Sequence, residues 1–207
     1  MGPAGPNCTS VSSYGRGYEK KHLCEVPVDG ECHILSIGSN DQWGFETGFL
    51  SKTPHCHTHT FDCTLPGKPK RKPNHPNVHF YPYCISTKAE VKNGRQYLTY
   101  EQMWNETGVQ SAPKALKMDI EGFEYDVWAN SILTSPSTLW PEQVIMELHY
   151  ATRMVDLPWM LRMRQAGEFS LFFALMFQKG GYVPAYQFWQ FWPTLVEVLM
   201  VRVLCIN

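Results

Sequence analysis

Ala115-Leu116-Lys117-Met118-Asp119-Ile120-Glu121-Gly122-Phe123-Glu124-Tyr125 is the stretch whose reading sets the fold. Leu116, Met118 and Ile120 interleave with Lys117, Asp119 and Glu121, a period of two that predicts a strand. Gly122 breaks the pattern, and a run with helical spacing follows over 123–132. In open α/β sheets, ligands lie beyond the carboxyl ends of the strands. Asp119 and Glu121 are expected at such an end, on one face of the extended chain.

Working outward, Val144, Ile145, Met146 and Leu148 make residues 143–149 predict the next strand, which also ends in alternating polar residues, Glu147 and His149. Upstream, residues 32–37 predict a buried strand closed by the turn Gly38-Ser39-Asn40-Asp41, followed by a short helix over 43–50 that Pro54 ends. Residues 56–61 predict a second strand ending at Asp62, and 78–83 a third. Between them, Pro66, Gly67, Pro69, Pro73 and Pro76 require a loop. Thr99 and Gln102 have the spacing of a capping box for a short helix to about 105. A helix is expected within 157–179, broken near Gly167 and ended by Gly180-Gly181. Residues 182–186 and 197–204 predict two last strands with no helix between them, hence an antiparallel pair.

Strands alternating with helices give an α/β class: a Rossmann-like, doubly wound, mostly parallel sheet with helices on both faces and an antiparallel C-terminal strand pair. Residues 1–30, dense in glycine and proline, read as an irregular lead-in, and 31–207 as a single domain. The chain has 207 residues, 43% hydrophobic and 18% charged, which suits one well-buried core. A net charge of −1 supplies no basic field, so nucleic acid is not an expected partner. The longest apolar run, 171–177, is too short to span a bilayer, so no membrane segment is expected. Composition says nothing of oligomeric state. Seven cysteines leave at least one unpaired if the rest bridge, and Cys24 and Cys32, which bracket a short loop, are candidates to pair in an oxidising compartment. Sequons stand at Asn7 and Asn105.

Two sites follow from this layout. Gly38, Ser39 and Asn40 form the first strand-to-helix turn, where such folds hold a cofactor, and Asp62 stands where an acid accepts ribose hydroxyls. The turn lacks G-x-G-x-x-G, so a nucleoside without a pyrophosphate fits better than a dinucleotide. The second site gathers Asp119, Glu121, Glu147 and His149 at one rim if their strands are neighbours. There His149 can act as a general base oriented by a carboxylate, or the four can bind a hard divalent metal. In a third, structural reading Glu121 caps the following helix and His149 fills a pocket. His55, Cys56, His57, His59 and Cys63 resemble a zinc cluster in composition only. Cys56 points away from its histidine neighbours on a strand and no second ligand pair completes a tetrahedron, so no zinc site is expected. Tyr186, Phe188, Trp189, Phe191 and Trp192 read as core packing or a pocket wall.

The stretch from Leu116 to Glu124 resembles the signature of FkbM-like methyltransferase domains, which are class I S-adenosylmethionine-dependent enzymes. The chain more closely resembles the animal methyltransferase-like branch, through Ser36 to Asp41 leading to Phe45-Glu46, Phe61-Asp62, Glu147-Leu148-His149, Gly181-Tyr182 and Glu197-Val198. The resemblance spans about residues 20–204 and implies a seven-stranded sheet and S-adenosyl-L-methionine as cofactor. It implies Gly38, Ser39 and Asn40 along that cofactor, Asp62 on its ribose, Cys84 and Ile85 near its adenine, and Asp119 near its methionine part or the acceptor. The reaction implied is O-methylation of a small-molecule or glycan acceptor, with His149 or Asp119 as base. The alternatives are a methyltransferase-fold binding module of weak or no activity, and a metal-dependent enzyme using the acidic rim. Members of the animal branch are often secretory, which implies the secretory pathway or extracellular space rather than the cytoplasm. The glycine-rich turn of the family is reduced here to Gly38 and Gly44, and 64–76 is a Pro-rich insert.

Overall fold

The structure, a computed structural model, describes residues 8, 10–25, 30–65, 69–149, 166–191 and 195–203. Strands β1 (Val11–Tyr14) and β2 (Lys21–Cys24) precede β3 (His33–Ile37), helix α1 (Gly44–Lys52) and β4 (His57–Phe61). Next come β5 (Val78–Tyr81), β6 (Tyr83–Ile85), β7 (Glu90–Lys92), β8 (Arg95–Leu98) and α2 (Tyr100–Glu106). The deciding stretch forms β9 (Ala115–Met118) and the short helix α3 (Glu124–Val127), which runs on as a π-helical turn over Trp128–Ile132. Strand β10 (Gln143–His149), helix α4 (Ala166–Gln178), β11 (Tyr182–Phe191) and β12 (Leu195–Arg202) complete the order.

Seven strands make the main sheet in the order β11-β12-β10-β9-β3-β4-β5. Five of them, β10, β9, β3, β4 and β5, run parallel, and β12 is antiparallel to both of its neighbours. The direction of strand addition reverses between β3 and β9, the switch point at which α/β sheets open a crevice. Side chains alternate cleanly across this sheet. Leu35, Ile37, Leu116, Met118, Val144, Met146 and Leu148 enter the core that also holds Met103 and Trp104 of α2, Tyr125 of α3 and Phe172 and Met176 of α4. Ile34, Ala115, Ile145 and Leu199 point the other way, toward Phe45 and Phe49 of α1 and Leu23 of β2. Both faces are therefore covered, as a parallel sheet requires.

The stretch read as an irregular lead-in contains the antiparallel hairpin β1–β2, which packs on β10 and leaves Lys21, His22, Leu23 and Cys24 buried. The expected Cys24–Cys32 bridge is not formed. Cys24 pairs with Cys8 across the base of the hairpin, and Cys32 pairs with Cys56. The reason is register: β3 and β4 align His33 with His57, so the cysteine just before each strand lies beside the other, with Cα atoms 4.6 Å apart. Cys63 bridges Cys84, while Cys205 and the Asn7 sequon lie outside the described residues. The third strand stops at Tyr81, because β6 joins β7 and β8 in a separate three-stranded sheet. Of the helix expected within 157–179, residues 157–165 lie outside the described residues and α4 is unbroken at Gly167. The capping box at Thr99 and Gln102 is present as read. Among the described residues no helix is long and apolar enough to cross a membrane.

Candidate active site

A cleft of about 1170 Å³ opens at the carboxyl ends of β3, β4 and β9, at the switch point. Its lining includes Gly38, Ser39, Asn40, Asp62, Cys84, Ile85, Asp119, Glu121 and Glu147, so nine of the ten residues expected in the two sites share one cavity, with His149 at its edge. The Gly38 turn is built by backbone constraint. Gly38 has φ +79°, and a Cβ there would run into the carbonyl oxygen of Asp119, so the close approach that demands glycine is to the neighbouring strand. The Lys117 ammonium donates to the Gly38 carbonyl from the other side. Asn40 and Asp41 continue the turn at φ +47° and +56°.

Asp62 organises that turn from below. Its Oδ2 accepts from the backbone N–H of Ser39 (2.9 Å) and Asn40 (2.7 Å) and from Ser39 Oγ (3.3 Å). Its Oδ1 accepts from the backbone N–H (2.8 Å) and hydroxyl (2.6 Å) of Thr64. Burial pushes the carboxyl pKa up, but the Thr64, Asn40 and Ser39 hydrogen bonds outweigh it and hold it below the ordinary aspartate value. Five donors meet a group with about four lone-pair positions, so Asp62 anchors the turn rather than presenting a free edge to a ribose. Asp41 clamps the Pro-rich insert over the turn, accepting from the backbone N–H groups of Lys70 and Arg71. The Cys63–Cys84 bridge ties the end of β4 to the wall formed by Tyr83 and Ile85.

The acidic rim converges as expected, by a different route. Strand β9 ends at Met118, and Glu121 sits at φ +57°, so Asp119 and Glu121 are not on one extended face; the left-handed turn at Glu121 and Gly122 swings the carboxylate back instead. His149 Nε2 lies 3.4 Å from Glu121 Oε2 and 3.7 Å from Glu147 Oε1. On its other edge, Nδ1 faces Glu124 Oε1 at 3.4 Å. Glu121 does not cap α3. No side chain caps it: Phe123 stands at its N-cap without a side-chain hydrogen bond, and Glu124, fully buried, accepts from the Ile120 N–H of the preceding turn at 3.0 Å. Burial alone would lower the His149 pKa; the Glu124, Glu121 and Asp119 carboxylates reverse this and raise it to about 9, so the ring is an imidazolium at neutral pH. Partial burial and the neighbouring acids, partly offset by His149, raise the Glu121 pKa.

Four charged residues here carry no site role in the sequence reading. Lys21, from the hairpin, is buried against Glu147 (2.9 Å) and Glu197 (3.1 Å). Glu197 also meets His22 Nδ1 at 3.1 Å. Lys21 loses by burial and gains more from these carboxylates, so its pKa is raised and it stays charged. Glu46 of α1 receives Ser36 Oγ (2.7 Å) under the turn, and burial raises its pKa. Glu124 is the fourth, and it stood inside the quoted stretch. An acid amid the apolar residues of a short helix is a readable signal for Glu124 and Glu46, whereas Lys21 lies 126 residues from Glu147 and carries none.

Of the zinc-like residues, Cys56 is bridged to Cys32 beside His55 and Cys63 is bridged to Cys84, so neither cysteine offers a thiolate. Tyr186 and Phe188 lie tilted against the His22 ring rather than lining the cleft, and the side chains of Trp189 and Phe191, with Trp192 entire, lie outside the described residues.

A cleft with this lining suits a cationic nucleoside. Asp119, Glu121 and Glu147 give it an acidic side, and Phe61, Tyr83, Ile85 and Phe123 an apolar one. In solved structures the same fold recurs. The fibrillarin pre-rRNA processing protein of Methanococcus jannaschii has a TM-score of 0.52 and 8% identity, over 86% of this chain and 69% of that one. A Listeria monocytogenes protein described as an S-adenosylmethionine-dependent methyltransferase has a TM-score of 0.51 and 9% identity, over 86% and 94%. At these identities the likeness establishes the fold alone. No curated protein matches the chain in sequence. A family model described as a methyltransferase domain matches residues 8–186, from the first disulfide to β11, and the chain belongs to that family.

Proposed function

We propose that the protein transfers a methyl group from S-adenosyl-L-methionine to a hydroxyl of a small molecule or glycan, as a member of the FkbM-like branch. The observation that carries this reading is the switch-point cleft, in which the Gly38 turn and the Asp119 rim of a methyltransferase-family chain face one another. The bound cofactor would supply an activated methyl, leaving the protein to align the acceptor and take its proton. The residues that would hold it are Ser39 and Asn40 on the turn, Tyr83 and Ile85 on the apolar wall, and Asp119 on the acidic side. Asp62 would act through the turn it anchors. At the rim, Glu124 fixes the His149 ring so that Nε2 faces the cleft edge, the geometry of an oriented general base. With its pKa near 9, His149 accepts a proton at neutral pH only after a cation at the Asp119–Glu121 rim pulls that value down.

Calorimetric titration with S-adenosylmethionine and its demethylated product tests the reading. Micromolar binding is expected, lost in Asp62→Ala with the turn. Absence of binding to folded protein would favour the non-catalytic module.

A further inference from the structure

The carboxylates outnumber their cations at the rim. Asp119, Glu121, Glu124, Glu147 and Glu197 gather around Lys21 and His149. One oxygen each of Asp119 and Glu121 and one ring nitrogen of His149 lie within 4.8 Å of one another. Ligands at about 2.1 Å from a cation in octahedral geometry stand about 3 Å apart when adjacent, so small side-chain rotations bring these three to one centre. Glu147 keeps Lys21 on Oε2 and turns Oε1 toward the same point, 3.7 Å from His149 Nε2.

A second observation lies on the far edge of the imidazole, away from the Asp119 and Glu121 oxygens. Glu124 is fully buried; its Oε1 accepts from the Ile120 N–H and also faces His149 Nδ1 at 3.4 Å, while its Oε2 has no hydrogen-bond partner among the described residues. His149 Nδ1 is itself buried without a hydrogen bond of good geometry. A carboxylate on the far nitrogen of a histidine whose near nitrogen faces two more carboxylates is the arrangement by which metal-ligating imidazoles are oriented.

We propose that Asp119, Glu121 and His149 form a divalent-cation site, with Glu147 beside it and Glu124 orienting the imidazole. Two carboxylates and one imidazole favour a hard-to-borderline ion such as Mn²⁺ over a thiophilic one. Three protein ligands leave open positions for oxygens of the acceptor. If the methyl-transfer reading above holds, and only then, this selects a substrate with two adjacent oxygens, such as a vicinal diol or a hydroxy acid, one of which would be methylated; with the ion bound, His149 would serve as its ligand and not as the base, and the ion would instead lower the pKa of the hydroxyl it holds.

The test is titration of the purified protein with Mn²⁺, following the free-ion signal by electron paramagnetic resonance. One ion per chain is expected to bind. Glu121→Gln, at a side chain 53% exposed and so compatible with folding, should weaken binding at least tenfold. Glu124→Gln should weaken it 10–100-fold, about the usual effect of losing such an orienting partner. No uptake by folded protein, or uptake unchanged in Glu121→Gln, overturns the site. A parallel S-adenosylmethionine titration in chelator separates the two readings. Cofactor binding without Mn²⁺ uptake overturns the metal site alone; Mn²⁺ uptake without cofactor binding upholds the metal site and removes the methyl-transfer reading.

Discussion

Gly38 concentrates the local constraint of the site in one position. Its φ of +79° already disfavours any side chain, and the atom a Cβ would meet is the backbone oxygen of Asp119, which no rotamer can move aside. Gly38→Ala should therefore cost on the order of 2–4 kcal/mol of stability, read from denaturant melts, because strain and overpacking add. It should also weaken S-adenosylmethionine binding, since relief requires β3 and β9 to part at the mouth of the cleft. A melt within 0.5 kcal/mol of wild type would contradict this account. The need for a glycine here was visible in the sequence, but its cause was not. A turn glycine reads as room for a ligand, and only the register of β3 with β9 shows that the room is taken by Asp119. Asp62 teaches the same lesson: its place at a strand end was legible, yet whether its oxygens face outward or hold the turn depends on Ser39, Asn40 and Thr64.

At the scale of elements, β10 was read to its exact bounds because its apolar run has no competing signal. The small sheet β6-β8-β7 was missed although Asn93-Gly94, with both residues at positive φ, marks its hairpin turn. The β1–β2 hairpin could not be read from local pattern, since its strands are four residues each among glycines. What stabilises it is distant: the Cys8–Cys24 bridge, the Gln143 side chain joined to both backbone groups of Cys24, and Lys21 set between two carboxylates. Lys21→Met tests that contribution. It leaves Glu147 and Glu197 without their shared cation, and removal of one partner from a buried pair costs on the order of 3–5 kcal/mol. Hydrogen exchange should locate the loss in 11–24 and β12. Equal protection in variant and wild type would mean that the hairpin is held by the disulfide and Gln143 without Lys21.

For the whole molecule, two histidine environments of opposite sense set the response to pH. On the α2 face of the sheet His33, His57, His59 and His79 touch ring to ring, with His33 Nδ1 3.0 Å from His59 Nε2 and His57 Nδ1 3.1 Å from His79 Nε2. Glu31 sits on His33, Tyr81 on His59, and Lys72 adds to the field at His79. Burial, then the charges its neighbours would carry, lowers the His59 pKa to about 3, while an unfolded histidine titrates near 6.5. Below 6.5 the unfolded chain binds a proton that folded His59 refuses, so its contribution to stability falls as pH drops from 6.5 toward 3. His149 acts the other way: its contribution is complete below 6.5 and is lost as pH rises through about 9. Each group changes the unfolding free energy by at most about 1.4 kcal/mol per pH unit, so the two limbs meet in a stability maximum near pH 6.5. Denaturant melts across pH 4–10 should show it. His59→Gln should make the acid limb shallower without removing it, because burial also holds His57 and His79 below the ordinary histidine value, and His149→Gln should flatten the alkaline limb alone, because the two rings lie on opposite sides of β9. If either substitution altered both limbs, the rings would be coupled through the sheet, and the acidic rim could not titrate independently of the histidine cluster.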